Sequence, residues 1–221
     1  MMKYPVVIFD WDGTLIDSEA RIVLCMQNAA LDVGWQPALS YESVRDIIGL
    51  GLPEAIRTLC PGIDESQLQL LKERYSWHFL EASDQAMPLF PDVEEGLKRL
   101  QTAGCRLAVA TGKSRRGLNQ VFEETGLAHY FSASRCADET RSKPDPMMLN
   151  ELLHEMQLKV SDAVMVGDTE FDMALAENAG MDRIAVNYGA HHPERLQKYH
   201  PVFTADQFSD LVDWLLDVSR R

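Results

Sequence analysis

A short apolar run, Pro5-Val6-Val7-Ile8-Phe9, passes without a spacer into Asp10-Trp11-Asp12-Gly13-Thr14. Such a run reads as a buried strand. Two carboxylates follow at its carboxyl end, spaced i and i+2, and Gly13 lets the backbone turn sharply after them. Ligands of open α/β sheets bind at the carboxyl ends of strands. The chain therefore puts two acids where chemistry is usually done. The first can attack an electrophile, the second can move a proton, and together they can hold a hard cation such as Mg²⁺. Taken alone, the segment also reads as an ordinary Asp/Gly turn. A calcium loop is excluded: it needs Gly at its sixth position and Glu at its twelfth, where this chain has Leu15 and Arg21.

After Thr14 the pattern is helical for about 70 residues. Helices are predicted over 17–33, 41–48 and 53–59, the first ending at Gly34. Gly49-Leu50-Gly51-Leu52-Pro53 breaks the series. Asp64 and Gln67 resemble a capping box ahead of a long helix with Leu68, Leu71, Tyr75 and Phe79 on one stripe. No strand is predicted between 15 and 88. From residue 91 helices and strands alternate. Helices are expected at 92–102, 115–125, from Pro146 onward with Asp145 as N-cap, at 170–179 and at 206–218. Strands are expected at 105–110, 132–136, 163–166 and 183–186, followed by a loop holding His191 and His192. This rhythm implies an α/β fold, a doubly wound parallel sheet of Rossmann-like type, with a helical insert after its first strand. Met87-Pro88-Leu89-Phe90-Pro91 is the candidate hinge.

Further polar positions follow apolar strands. Thr111 ends the strand beginning at 105, where its hydroxyl and neighbouring backbone N–H groups can bind an anion at a helix start. Gly112-Lys113-Ser114 is not a P-loop, because the required earlier glycine is Leu107. Lys143 lies before a backbone stiffened by Pro144 and Pro146, and can hold a phosphate or an attacking carboxylate. Asp168 ends the strand 163–166, and Asp172 lies one helical turn further, so both can face one point. Each position has an ordinary alternative: a loop threonine, a surface lysine, acids capping a helix.

The net charge of −13 disfavours nucleic acid and anionic membranes as partners. A local lysine and helix N-termini can still admit an anionic substrate. No run of about 18 apolar residues indicates a membrane span. The N-terminus enters the first strand directly, with no basic segment or cleavage site, and the four cysteines are widely spaced. These features lead us to expect reduced thiols and a cytoplasmic location. Adjacent His191 and His192 read as loop surface rather than a metal site. The oligomeric state stays open.

In order along the whole chain, these motifs resemble those of the haloacid dehalogenase superfamily, in its phosphatase branch. Asp10-Trp11-Asp12-Gly13-Thr14 resembles the first motif, Thr111 with Gly112 the second, Lys143 the third, and Gly167-Asp168 with Asp172 the fourth. Trp11 stands where relatives often carry Leu or Phe. The insert 15–88 resembles the family's helical cap, leaving 1–14 and 89–221 as catalytic core. Gly49-Leu50-Gly51-Leu52 is similar to the cap loop of phosphoglycolate-phosphatase-like members. The resemblance implies Mg²⁺-dependent hydrolysis of a small phosphomonoester, phosphoglycolate among the candidates. Asp10 would be the nucleophile and Asp12 the acid and base. Asp10, the Asp12 carbonyl and Asp168 would hold the metal, with Asp172 supporting them. Thr111, Gly112 and Lys143 would bind the phosphoryl group. The second acid, Asp12, sets the chain apart from the dehalogenating members. A sugar phosphomutase and a pyrophosphatase share these motifs. A phospho-signalling receiver shares the Asp, Thr and Lys but has no use for so large an insert.

Overall fold

The computed structural model describes residues 3–218, and its centre is a six-stranded, wholly parallel sheet. The strands are β1 (Val6–Phe9), β2 (Arg106–Thr111), β3 (Phe131–Cys136), β4 (Ala163–Gly167), β5 (Asp182–Val186) and β6 (Phe203–Ala205). Their spatial order is β3-β2-β1-β4-β5-β6. Every residue of β1 is buried, because the period of two sends alternate side chains to opposite faces and both faces are covered. Val7 and Phe9 join one cluster with Val109 and Val166, packed under α5 (Val93–Thr102) and α10 (Phe208–Val218). Val6 and Ile8 join another, with Ala108 and Met165, under α7 (Met147–Met156) and α8 (Glu170–Asn178). The parallel doubly wound expectation is thus met.

Register places the site. Phe9 lies opposite Val109 of β2 and Val166 of β4. The Asp10 N–H continues the ladder to the Val166 carbonyl at 2.9 Å. Asp10, Thr111 and Asp168 therefore emerge at the carboxyl ends of three adjacent strands.

Between β1 and α5 the chain forms α1 (Glu19–Asp32), α2 (Tyr41–Arg45), α3 (Leu52–Leu59) and α4 (Glu65–Trp77), which runs into a π-helical turn, His78–Ala82. These bury their own apolar cluster, including Ile22, Met26, Ile56, Leu68, Leu71 and Phe79. Tyr75, on the same stripe, is only partly buried. The two segments leading to and from this layer pair with each other. Asp17 N–H donates to the Pro88 carbonyl at 2.8 Å, and Phe90 N–H to Leu15 at 3.1 Å. Helix α1 consequently starts at Glu19, two residues later than its pattern predicts, since Asp17 and Ser18 are engaged elsewhere.

The structure corrects the end of the chain. The region read as a loop after β5 contains α9 (Pro193–Gln197) and the edge strand β6. β6 is three residues long and carries Thr204 between Phe203 and Ala205, too little to show periodicity. Pro146, not Asp145, occupies the cap position of α7, although the Asp145 carboxylate still accepts the Met147 N–H at 3.0 Å. Among the described residues no helix is long and apolar enough to cross a membrane.

Candidate active site

Asp10 leaves β1 fully buried, with Lys143 Nζ 2.8 Å from its Oδ1. This ion pair engages Oδ1, and Oδ2 has no hydrogen-bond partner. Burial raises its pKa well above the carboxylate range. Lys143 opposes that rise, and Asp172 and Asp168 add to it. Lys143 also donates to Asp172 Oδ1 at 2.6 Å. Burial works against the Lys143 charge, but Asp10 and Asp172 outweigh it and hold the ammonium protonated.

Asp168 follows β4. Its Oδ1 accepts from Thr14 Oγ1 and its Oδ2 from Ala190 N–H, both at 2.8 Å. Burial, with Asp172 nearby, pushes its pKa up to about 7. Gly13, at φ +76°, passes so close to this carboxylate that a Cβ would collide with it. Asp172 lies in the first turn of α8. Thr169 caps that helix, and the Asp172 Oδ2 accepts the Thr169 N–H at 3.0 Å and its hydroxyl at 2.7 Å. Both Asp172 oxygens are thus taken, one by Lys143 and one by Thr169.

Carboxylate oxygens of Asp10, Asp168 and Asp172 lie within 4.8 Å of one another. Three buried carboxylates share one ammonium, and Asp10 Oδ2 is left without a partner. Buried charge of this kind needs compensation. All-oxygen donors suit a hard divalent cation such as Mg²⁺.

Asp12 sits on the other side of Asp10. Its Oδ1 accepts from Ser18 Oγ at 2.5 Å and lies 3.0 Å from Lys113 Nζ. Lys113 is almost fully buried and stands over the Phe79 ring at 4.4 Å. The sequence motifs place this lysine only in a Gly-Lys-Ser run that is not a P-loop, so the site gains it from the structure. The parallel pairing of β1 with β2 brings the loops after the two strands to one edge, and that pairing is not written in either strand alone. Thr111 is buried, and its Oγ1 accepts the Lys113 N–H at 3.2 Å. Trp11 is buried edge-on to Phe122, a packing role for the bulky variant at that position.

The loop between α2 and α3 closes onto this edge. A Cβ on Gly112 would lie 2.5 Å from the Leu50 carbonyl and 2.6 Å from that of Gly49. Gly51 N–H donates to Ser142 Oγ at 2.8 Å. Asp10 and Asp12 then floor a cavity of about 100 Å³, walled by Ile22, Met26, Ile48, Tyr75 and Phe79.

His191 departs from the surface expectation. It is buried, with Nδ1 accepting the Glu170 N–H and Nε2 against the Asp46 carbonyl, both at 3.1 Å. His192 is exposed and accepts the Glu194 N–H at the start of α9. Neither joins the acidic cluster.

Residues 7–186 match the model of the haloacid dehalogenase-like hydrolases. A phosphoglycolate phosphatase of Vibrio cholerae is 32% identical over 224 residues, spanning 98% of this chain and 99% of its own. One of Vibrio parahaemolyticus is 32% identical over 216 residues, 94% of each chain. The solved structure of a Bacteroides fragilis protein assigned to the haloacid dehalogenase-like hydrolases superposes with a TM-score of 0.88. It is 25% identical, covering 95% of this chain and 100% of that one.

Proposed function

The chain belongs to the haloacid dehalogenase-like hydrolases, and from that premise we propose that it is a Mg²⁺-dependent phosphatase of small phosphomonoesters working through an aspartyl-phosphate on Asp10. The observation that carries this reading is the buried Asp10 carboxylate, its Oδ1 held by Lys143 and its Oδ2 without a hydrogen-bond partner. A nucleophile must keep an oxygen free to attack.

In the first half, an Asp10 oxygen attacks phosphorus and the ester P–O bond breaks. Asp12 gives its proton to the departing oxygen. In the second half, Asp12 takes a proton from water as that water attacks the same phosphorus. The Asp10–phosphorus bond breaks and phosphate leaves. Ser18 and Lys113 hold Asp12 in place for both transfers. Thr111, the Gly112 backbone and Lys143 would bind phosphoryl oxygens. Asp10, the Asp12 carbonyl and Asp168 would hold Mg²⁺, whose charge would offset the repulsion between two anions. Asp172, with both oxygens engaged, acts by fixing Lys143. Residues 15–88 act as the cap over this core, with 1–14 and 89–221 as its two parts. Phosphoglycolate enters as a candidate through the names of the Vibrio relatives.

The test is phosphate release from aryl and alkyl phosphates with Mg²⁺ and with chelator. Release that depends on Mg²⁺ is expected, with loss of turnover in Asp10→Asn at unchanged melting temperature. Near wild-type turnover in Asp10→Asn overturns the mechanism.

A further inference from the structure

We infer that the group leaving from this site is an uncharged alcohol with a compact apolar body, rather than a short hydroxy acid such as glycolate. The inference rests on the phosphatase reading and concerns the ester it accepts. Its first ground is position. Asp12 must reach the departing oxygen, and Asp12 lines the cavity under the helical layer. The wider cleft between α3 and the 137–146 loop reaches Lys143 but neither Asp10 nor Asp12. The leaving group therefore lies in the cavity that Asp12 lines.

The second ground is the lining. The helical layer contributes Ile22, Met26, Ile48, Leu52, Phe79 and Leu80. Its polar contribution is two hydroxyls, on Tyr75 and Ser76. Lys113 is the cation on the cavity wall, and it is already held by Asp12 and the Phe79 ring. Arg21 stands 4.9 Å from the same ring and does not reach the wall. Two of its nitrogens donate to the Phe79 and Gln85 carbonyls.

A glycolate carboxylate here would lose water without a free cationic partner on the wall, and would face the Asp10 carboxylate as a like charge. An apolar body would instead gain by leaving water. A polyhydroxylated sugar finds too few partners for the same reason. The third ground is size. The cavity of about 100 Å³ is somewhat smaller than the roughly 150 Å³ apolar cavity that takes up benzene. The phosphoryl group beside Asp10 takes part of that volume, so a small alkyl group fits as the cavity stands and a ring fits when the partly open helical layer shifts outward. The hydroxyls of Tyr75 and Ser76 allow one polar atom on that body.

The experiment compares kcat/KM for benzyl phosphate, ethyl phosphate and phosphoglycolate, all esters of alcohols, in wild type with Mg²⁺. Benzyl phosphate should exceed ethyl phosphate by about 10-fold or more through ring burial. Phosphoglycolate should fall below ethyl phosphate. Leu52→Arg places a cation on a half-buried wall position and should raise phosphoglycolate relative to benzyl phosphate. Phosphoglycolate at or above benzyl phosphate in wild type overturns the inference and leaves the phosphatase reading standing. If Leu52→Arg does not fold, the wild-type series decides alone. Mg²⁺-dependent release from none of the three, nor from an aryl phosphate, overturns the phosphatase reading and the inference with it.

Discussion

Lys113 and Lys143 bring the same charge to different acids of the site. Lys143 is enclosed between Asp10 at 2.8 Å and Asp172 at 2.6 Å, so its charge is committed to the buried acids. Lys113 reaches Asp12 at 3.0 Å from the next strand and rests on Phe79 of the helical layer. It is a positioning residue for the acid and base. Lys113→Met should therefore lower kcat about 10²-fold, toward the lower end of what proton transfer contributes, with phosphorylation and dephosphorylation both slowed. Lys113→Arg should recover much of the loss. Rapid-quench measurement of phosphoenzyme formation and decay separates this from mere loss of fold. If Lys113→Met changes KM alone, the lysine serves the substrate and not Asp12.

At the scale of elements, the informative contact is the turn between α2 and α3 against the end of β2. Gly49 adopts φ +103°, and the carbonyls of Gly49 and Leu50 lie against Gly112. A side chain at 112 would meet backbone, which cannot swing aside as a flexible side chain can. Gly112→Ala should therefore lift the 49–51 loop, break the Gly51–Ser142 hydrogen bond and open the cavity. Limited proteolysis within 46–52 should accelerate, and kcat/KM should fall most for esters that fill the cavity. An aryl phosphate, with its better leaving group, should be affected less. Unchanged proteolysis with unchanged kinetics would show that the close packing carries no constraint.

Across the whole molecule, the helical layer and the sheet meet a second time around His191. Its Nδ1 accepts from Glu170 and its Nε2 hydrogen faces the Asp46 carbonyl, which defines the neutral imidazole. Arg195 sits beside it, paired with Glu170 at 2.6 Å and with Asp46, and Phe171 covers the ring edge. Burial first, then Arg195, holds the His191 pKa below its ordinary value. The unfolded chain then binds a proton that the folded chain resists. Stability should be full above the ordinary histidine pKa of about 6.5 and fall as pH drops below it, until the lower folded-state value is passed. Melting temperature should decrease between about pH 7 and pH 5.5, with a shallower slope in His191→Gln, which cannot titrate. Equal slopes in the two proteins would remove His191 from this role.

The sequence by itself determined the local features: apolar runs that become strands, acids and a threonine at their ends, and the caps that start helices. Asp10, Thr111 and Asp168 were legible because each closes a continuous apolar run, and a parallel sheet puts such ends on one edge. Asp64 was legible as a cap because its partner, the Gln67 N–H, lies three residues away. Tertiary structure alone decided what crosses between elements. The pairing of β1 with β2 brought the segment holding Lys113 beside that holding Asp12. Packing of the 189–195 segment against the α2–α3 turn buried His191, which an isolated His-His pair in a loop does not announce. Enclosure by Lys143 and Thr169 took both oxygens of Asp172. Folding of the helical layer over β1 made an apolar chamber from residues that read, one helix at a time, only as core. The division has one physical reason. Periodicity and capping act over three or four residues, whereas register, burial and cavity shape are set by contacts between segments far apart along the chain.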